Sequence, residues 1–437
     1  MPEGDDLTNR HYAVVVDAQR ARVLAVRRNG GWALPTWESR GRVRWNDAGP
    51  VNDAARSLLG LEAVTLRPLL ARREGTKGTW AHELEPRDAN WEPAAGARWE
   101  EPASFPNPAE LELVERAFAF TDDRPAWARA AWYDDVDTWI DSRLEELGRS
   151  RSGAARQLHA WAISSVLRVP TDAGDVYFKA VPPLFGHEPT LTAALGRRHR
   201  GRVTCTLARD EERRWLLMDD LGGTPLAEVS DCAAWEEALR SYAELQLAWV
   251  GDEERLLGLG CRDRRLDALA ADIEPTLAEP LLAELPGALS ADELRELPAL
   301  SARLAEAVER LRALEIPPTL EHGDLHPGNV RVRPGGPVFH DWTDGCLSVP
   351  LFSLAPFLEN NPFGGHRLRD AYLEPWSALL SVDRVQEACE LAEELGRFHV
   401  AVSYRWIAHA AGPHQRWELG MVFPQLIRAL LRSPDLP

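Results

Sequence analysis

Residues 322–330 read HGDLHPGNV and residues 339–342 read FHDW. An apolar run precedes the first stretch and the run GPVF leads into the second, so the pattern predicts a loop and then a strand that ends at Asp341. Asp324, Asn329 and Asp341 supply oxygen atoms to this segment. The alternative interpretation is a plain loop of turn-forming residues between two strands.

The spacing of the first stretch, H-x-D-x-x-x-x-N, is typical of a loop that catalyses phosphoryl transfer. This reaction needs a carboxylate against the acceptor hydroxyl and oxygen ligands for Mg²⁺ on the phosphates. Asp324 is the predicted carboxylate, which orients the hydroxyl and accepts its proton. Asn329 and Asp341 are predicted to hold the metal, and His322 to order the loop through backbone hydrogen bonds.

A lysine in an alternating strand is the predicted contact to ATP phosphates. The chain has 50 basic residues but only two lysines, Lys77 and Lys179, and Lys179 lies in the strand-like run DVYFKAV. Its ammonium is suited to the α- and β-phosphates as a compact charge. Glu188, at the start of the next helical stretch, is its predicted partner. The alternatives are a solvated strand lysine and an acidic residue that favours a helix N-terminus.

Two further segments complete the predicted nucleotide site. The strand pair around Ser164 and Ser165 is predicted to cover the phosphates with hydroxyl or backbone donors. The apolar run RWLLMDDLGG is predicted to read the adenine edge through backbone groups near Met218, Asp219 and Leu221, and its glycines to permit movement.

Together these motifs resemble those of the aminoglycoside phosphotransferase and choline kinase group, over about residues 150–435. HGDLHPGN and HDWTDG are close to the paired motifs of that group. The resemblance implies a bilobal, protein-kinase-like fold and a small-molecule kinase that uses ATP and Mg²⁺. The residues to which it assigns roles are Asp324 (catalytic), Asn329 and Asp341 (magnesium), and Lys179 with Glu188 (ATP phosphates).

The departures from protein kinases favour a small-molecule acceptor. The small lobe has no GxGxxG, and Asp341-Trp342-Thr343 stands where D-F-G is expected. Ser353 occupies a position where the group often has an aspartate, which predicts looser support of the catalytic loop. The alternative function is therefore a catalytically weak, nucleotide-binding pseudokinase scaffold.

The N-terminal segment resembles a Nudix fold. Residues 13–35 are similar to its opening strands, and residues 54–63 to the helix end of the Nudix box. When Gly60 is aligned with the last glycine of that box, Ser57 and Leu58 replace its paired glutamates. The resemblance therefore implies a degenerate module that does not hydrolyse diphosphates, and an unrelated small β-domain is the alternative. A third interpretation, a hydrolase of nucleoside diphosphate derivatives, lacks its metal carboxylates.

The predicted fold class is α+β: a bilobal protein-kinase-like fold, with a small β-rich lobe and a large helical lobe, preceded by a small Nudix-like α/β domain. A helix with one buried face is predicted over residues 292–314. The stretch 74–108, rich in Pro, Gly, Glu and Trp, is predicted to be loops or linker with at most one strand. The predicted segments are 1–107 (Nudix-like domain plus linker), 108–150 (connecting helices), 151–222 (N-lobe) and 223–437 (helical C-lobe with the catalytic loop).

The net charge limits the kinds of partner that the chain is expected to bind. Acidic residues outnumber basic ones by 68 to 50, for a net charge of −18, which argues against nucleic acid and anionic membranes as partners. It is compatible with a cationic acceptor, such as an aminoglycoside, amino sugar or amino alcohol, and Asp263, Asp267 and Asp272 are candidates to bind its amines. The N-terminus lacks the pattern of a signal peptide, so a cytoplasmic location is predicted. The sequence does not distinguish ATP from GTP as the phosphoryl donor.

Overall fold

The structure is a computed structural model, which describes residues 7–28, 30–119, 124–359, 361–413 and 415–432. The chain divides into two compact units. Unit 1 comprises residues 1–182 and 411–418, of which residues 1–6 lie outside the described part, and unit 2 comprises residues 183–410 and 419–437. Within the described ranges, no helix combines the length and the apolar character that a membrane span needs.

Unit 1 is built mainly from antiparallel sheet. Its strands are β1 Thr8–Val15, β2 Val23–Arg28, β3 Gly31–Ala33, β4 Thr36–Arg40, β5 Ala63–Glu74, β6 Lys77–Pro86, β7 Ala97–Glu100, β8 Arg156–Trp161, β9 Ser164–Thr171 and β10 Gly174–Ala180. Its helices are α1 Gly49–Leu59, α2 Pro108–Phe118 and α3 Ala130–Glu146. Strands β4, β1, β6 and β5 form one sheet in that order, and β3, β2 and β7 form a second.

The stretch 74–108, predicted to be loops or linker with at most one strand, contains two strands, β6 and β7. Strand β6 lies between β1 and β5 and pairs with β1 in parallel and with β5 in antiparallel register. Its polar residues make this buried strand hard to recognise in the sequence. Glu83 forms an ion pair with Arg67 of β5 at 2.8 Å, and both side chains are 2% exposed. A buried carboxylate is tolerated in a central strand only when it is paired in this way.

The hydrogen bonds of one glutamine connect the three segments that were predicted to be separate, 1–107, 108–150 and 151–222. Gln157 of β8 accepts hydrogen bonds from the Thr65 backbone N–H (3.0 Å) and from Asn52 (2.9 Å). Its amide nitrogen donates to the Thr65 carbonyl at 2.7 Å and to the Tyr133 hydroxyl at 2.6 Å. The N-terminal segment and helix α3 therefore pack against β8 within one unit, whereas the predicted four-part division stays a prediction.

Unit 2 is mainly helical. Its helices are α4 Glu188–Arg198, α5 Cys232–Leu247, α6 Glu253–Gly258, α7 Leu266–Leu277, α8 Leu281–Glu284, α9 Ala291–Ala313, α10 Leu354–Glu359, α11 Gly365–Trp376, α12 Val382–Ala410 and α14 Val422–Arg432, while α13 Arg416–Gly420 begins in the segment assigned to unit 1. Its strands are β11 Thr206–Asp210, β12 Trp215–Asp219, β13 Thr224–Pro225, β14 Arg262–Asp263, β15 Thr319–Glu321, β16 Val330–Arg333, β17 Gly336–Phe339 and β18 Cys346–Ser348.

Helix α9 shows how the sequence specifies the helical core of unit 2. Ser290 and Glu293 form a capping box at its start, each satisfying a backbone N–H of the other. Leucines at three- and four-residue spacing then form one buried face, including Leu297, Leu300 and Leu304. The helix predicted over 292–314 is confirmed, and so is the α+β class, with β-structure dominant in unit 1 and helices dominant in unit 2.

Candidate active site

The β16–β17 hairpin places two of the predicted metal ligands side by side. Val330 pairs with Phe339 at the open end of this hairpin, so the residues just before β16 and just after β17 are neighbours. The His340 backbone N–H donates to the Asn329 carbonyl at 3.1 Å and extends the ladder by one more bond. Asn329 and Asp341 are therefore brought to one end of the hairpin, although twelve positions separate them in sequence.

His322 orders the start of the predicted catalytic loop. Its ring is fully buried, its Nε2 lies 3.0 Å from the His340 carbonyl, and its centroid is 4.5 Å from that of Trp342. Burial lowers the pKa of His322 to about 4, so the imidazole is neutral near pH 7. A neutral, buried ring bonded to the backbone holds the two loops together, as the sequence predicted.

The predicted catalytic aspartate is on the surface of this arrangement. The Asp324 side chain is 52% exposed, with the ring of His326 4.0 Å away, so an acceptor can approach its carboxylate. Asn329 is 5% exposed and donates its amide hydrogen to the Asp324 carbonyl at 3.0 Å. This bond fixes the loop conformation. The amide oxygen of Asn329, which is the atom that a metal would bind, takes no part in it.

Asp341 adopts an unusual backbone conformation. Its φ is +64°, a region that residues other than glycine seldom enter and that aspartate tolerates better than most. The Thr343 hydroxyl donates to its Oδ1 and holds the carboxylate at this turn. Backbone strain of this kind is typical of functional turns.

The donor set fits a magnesium ion bound together with a nucleotide. One amide oxygen and one carboxylate are hard ligands of the type that Mg²⁺ prefers, and phosphates and water usually supply its other ligands. In the part of the chain that the structure describes, no group of three His, Cys, Asp or Glu side chains is arranged to hold a metal without such help.

Glu321 is a residue of this site that sequence reasoning missed. It is fully buried at the end of β15 and accepts hydrogen bonds from the Tyr242 hydroxyl (2.6 Å), from Gln246 (3.1 Å) and from the His322 backbone N–H (2.9 Å). The Ser353 hydroxyl also donates to it. Ser353 thus contacts the residue that precedes the loop, and the expectation that it loosens the loop stays a prediction. The available signal was a glutamate directly before the motif that begins at His322.

In unit 1, Lys179 lies in β10 opposite Val166 of β9. It is only 7% exposed, which excludes the alternative of a solvated strand lysine. The two serines of the neighbouring strand are also buried: Ser164 accepts a hydrogen bond from the Trp161 indole at 2.7 Å, and the Ser165 hydroxyl lies 3.4 Å from that of Tyr133. Their hydroxyls are thus engaged within the unit, and their contact with phosphates stays a prediction.

The other predicted nucleotide contacts lie in unit 2. Glu188 is the first residue of α4 and is 2% exposed, and its pairing with the lysine stays a prediction. Met218 and Asp219 end β12, and Leu221 follows them, half-buried. Gly223 has a φ of +68° and packs so closely on β16 that a Cβ there would lie 2.4 Å from the Val332 carbonyl oxygen. That glycine serves close packing.

The three aspartates suggested as amine-binding residues are already paired with arginines. Their nitrogen–oxygen distances are 2.6 Å for Asp263–Arg265, 2.8 Å for Asp267–Arg312 and 3.8 Å for Asp272–Arg405. Each carboxylate thus has a cationic partner, although the Asp267 side chain is 94% exposed, and the binding of an acceptor amine by these residues stays a prediction.

Residues 192–399 match the model of the phosphotransferase enzyme family. This range contains the catalytic loop, the hairpin and Asp341, so the predicted resemblance to aminoglycoside phosphotransferases and the prediction of a phosphotransferase enzyme are confirmed. The matched range leaves out the N-terminal segment, whose Nudix-like character stays a prediction. No curated protein matches the chain.

Several solved structures are similar to the chain. A macrolide 2'-phosphotransferase from Brachybacterium faecium has 18% identity, a TM-score of 0.47, and coverage of 69% of this chain and 99% of that one. An aminoglycoside phosphotransferase with GDP and kanamycin has 14% identity and a TM-score of 0.47 (68% and 98% covered). Choline kinase from Streptococcus pneumoniae also has 14% identity and a TM-score of 0.47 (69% and 100%).

Proposed function

We propose that this chain transfers the terminal phosphoryl group of ATP to a hydroxyl of a small molecule, with Mg²⁺ as cofactor. The observation that carries the proposal is the β16–β17 hairpin, which puts Asn329 and Asp341 at the same end as the loop that bears Asp324. The family match over residues 192–399 supports the same reaction class.

The chain's own residues would act by positioning and by charge. Asp324 is accessible and would orient the acceptor hydroxyl and accept its proton as transfer proceeds. Asn329 and Asp341 would hold the metal, and Lys179 would contact the phosphates. When bound, Mg²⁺ supplies charge neutralisation on the phosphates. No covalent enzyme intermediate is needed, because the phosphoryl group passes directly to the acceptor.

A screen of ADP release with Mg²⁺ and ATP tests the proposal. The panel would include amino sugars, aminoglycosides, choline-like alcohols, nucleosides and hydroxy acids, with phosphorus NMR to identify each product, and GTP in a parallel arm. Asp324→Asn should lower kcat about 10²- to 10⁴-fold, the usual contribution of a general base. Asp292→Asn is the matched control, since that side chain is 80% exposed at the start of α9.

Turnover that survives Asp324→Asn would contradict the assignment of the catalytic aspartate. Nucleotide binding without turnover of any acceptor would favour the pseudokinase alternative. The bond between Ser353 and Glu321 weighs against that alternative, because it supports the loop where the sequence suggested a weakness.

A further inference from the structure

The side chains of Asp324 and His326 are both accessible, on either side of a buried leucine. Leu325 between them is 2% exposed, whereas the side chain of Asp324 is 52% exposed and that of His326 is 44% exposed. Alternate residues of an extended chain face the same side, and the backbone at His326 is extended. His326 is thus an accessible polar neighbour of the predicted general base.

The backbone holds the His326 ring in one orientation. The ring caps the short turn Pro327–Asn329, because its Nδ1 accepts a hydrogen bond from the Gly328 N–H at 3.0 Å. The Asn329 N–H donates to the His326 carbonyl at 2.9 Å and completes the turn. The ring also packs on Gly328, where a Cβ would lie 2.7 Å from its Cε1 and 2.9 Å from its Nδ1. The ring can take this place only because residue 328 has no side chain.

This cap also determines which ring nitrogen of His326 carries the hydrogen. Nδ1 accepts the Gly328 N–H and therefore bears no hydrogen, so the neutral imidazole carries its hydrogen on Nε2. Nε2 is the ring atom that lies 4.0 Å from Oδ2 of Asp324. A hydrogen-bond donor and a carboxylate oxygen are therefore held side by side at the accessible end of the loop.

The separation of these two atoms matches one oxygen atom bound to both. At 4.0 Å they are too far apart for a direct hydrogen bond. An oxygen about 2.8 Å from each atom, an ordinary hydrogen-bond length, would subtend an angle of roughly 90° between them. A hydroxyl oxygen has one hydrogen and two lone pairs in a nearly tetrahedral arrangement, which is close to that angle. It can therefore donate to Oδ2, accept from Nε2 and keep its second lone pair for attack on phosphorus.

We infer that Asp324 and His326 bind the reacting hydroxyl of the acceptor between them, and that His326 donates its Nε2 hydrogen to the hydroxyl oxygen. The inference rests on the proposed phosphotransferase function and adds a substrate-binding residue to it. In the transfer step the second lone pair forms the bond to phosphorus, the bond from phosphorus to the leaving oxygen of ADP breaks, and the hydroxyl hydrogen passes to Asp324 as a proton. His326 keeps its hydrogen and stabilises the negative charge that the oxygen gains as it loses its proton.

His326→Asn separates this role from the capping of the turn. Asparagine is a favoured cap and can still accept the Gly328 N–H, but its shorter side chain places no donor at the position of Nε2. We expect kcat/KM for the acceptor to fall at least about tenfold, because an oriented hydrogen bond to the substrate is lost. KM for ATP and the unfolding temperature should stay close to those of the wild type. If the ring served only as a cap, asparagine would retain the activity that His326→Ala loses.

Gly328→Ala tests the orientation of the ring without removing the ring. The new Cβ would lie 2.7 Å from Cε1 of His326, so the ring must move. We expect kcat/KM for the acceptor to fall by a factor similar to that of His326→Asn. The double variant should be no worse than either single variant, because both changes remove the same interaction. His366→Asn is the matched control: it removes an imidazole from an exposed position of α11 and should leave kcat/KM unchanged.

The measurement is ADP release with ATP, Mg²⁺ and the best acceptor of the screen, or with water alone if only ATP hydrolysis is seen. Water offers the same hydrogen and lone pairs, so the same order of variants is expected. Asp324-dependent release that His326→Asn leaves at the wild-type rate would overturn the inference and keep the phosphotransferase. Additive losses in the double variant would also overturn it, because Gly328 would then not act through the ring. Absence of ADP release under both conditions would reject the proposed function and this inference with it.

Discussion

Ser353 donates a hydrogen bond to the carboxylate of Glu321, one residue before the loop that carries Asp324. The hydroxyl of Tyr242 and the backbone N–H of His322 donate to the same carboxylate, which is fully buried. Helix α5, strand β15 and the segment before α10 therefore meet at one acceptor. This buried carboxylate connects the start of the predicted catalytic loop to the helical core.

Glu321→Gln should lower kcat while leaving KM for ATP nearly unchanged. The amide keeps the size of the side chain and one oxygen for Ser353 and Tyr242, but its nitrogen cannot accept the hydrogen that Gln246 donates to Oε2. A buried donor left unsatisfied costs about 1–3 kcal/mol. Thermal unfolding and steady-state kinetics measure the two effects. Glu315→Gln, at an 85% exposed side chain, is the control. Wild-type kcat and unfolding temperature in Glu321→Gln would refute this positioning role.

Substitution of either predicted metal ligand, unlike substitution of Asp324, should change how the reaction rate depends on the Mg²⁺ concentration. Asp341→Asn should reduce kcat/KM by about 10²-fold or more at a fixed Mg²⁺ concentration, because a charged ligand is lost. Asn329→Ala should raise the Mg²⁺ concentration needed for half-maximal rate. Rates measured over a range of Mg²⁺ concentrations, and after EDTA treatment, check both. A rate that EDTA does not change would contradict the metal requirement.

The chain's two lysines make a matched pair for testing the nucleotide contact. Lys179 is 7% exposed in β10, whereas Lys77 is exposed at the start of β6. Lys179→Met should raise KM for ATP and lower kcat at least about tenfold, and Lys179→Arg should not restore activity, because the larger planar fork does not replace a compact ammonium. Lys77→Met should behave as wild type. ATP binding measured by calorimetry separates lost affinity from lost catalysis.

The buried carboxyl of Glu418 should make the stability of unit 1 depend on pH. Its buried carboxyl accepts a hydrogen bond from the Ala162 backbone N–H at 2.8 Å, and burial raises its pKa from 4.5 to about 8. The folded state therefore binds this proton more tightly than the unfolded state, and stability falls as pH rises from about 4.5 to 8. At about 1.4 kcal/mol per pKa unit, the full cost above pH 8 is on the order of 5 kcal/mol.

Glu418→Gln should remove this dependence, because the amide oxygen can still accept from Ala162 and carries no charge at any pH. Chemical unfolding measured between pH 5 and 9 should show a flatter curve for the variant and higher stability than wild type at pH 8. Glu145→Gln, at an exposed position of α3, should keep the wild-type slope. Parallel curves for wild type and Glu418→Gln would contradict the prediction.

The parts of the site that the sequence predicted are those specified by local geometry. Asp324 and Asn329 share one loop, and a four-residue strand pair carries the chain on to Asp341, so their proximity follows from spacing alone. The role of Glu321 could not be predicted in that way. Its partners Tyr242 and Ser353 lie 79 and 32 positions away, and only the packed structure brings them to one carboxylate.

The same distinction applies to the fold. Helix α9 was predicted because its apolar period is a local pattern. The bounds of β6 were not predicted, because its polar residues are stabilised by a partner on another strand.

Gly323→Ala should disable the catalytic loop more than its small change in size suggests. Gly323 has a φ of +77°, where an alanine is strained, and the new Cβ would lie 2.5 Å from the carbonyl oxygen and 2.9 Å from the Cβ of Asp344. Either the loop or the backbone at Asp344 must move, at a cost of about 1–3 kcal/mol. Because Asp324 is the next residue, kcat should fall at least about tenfold.

Gly335→Ala in the β16–β17 turn is the control, since its Cβ would meet no atom within 4 Å and its φ is not positive. Kinetics and thermal unfolding of the two variants compare the sites directly, and equal activity of both would show that the contact between Gly323 and Asp344 does not constrain the general base.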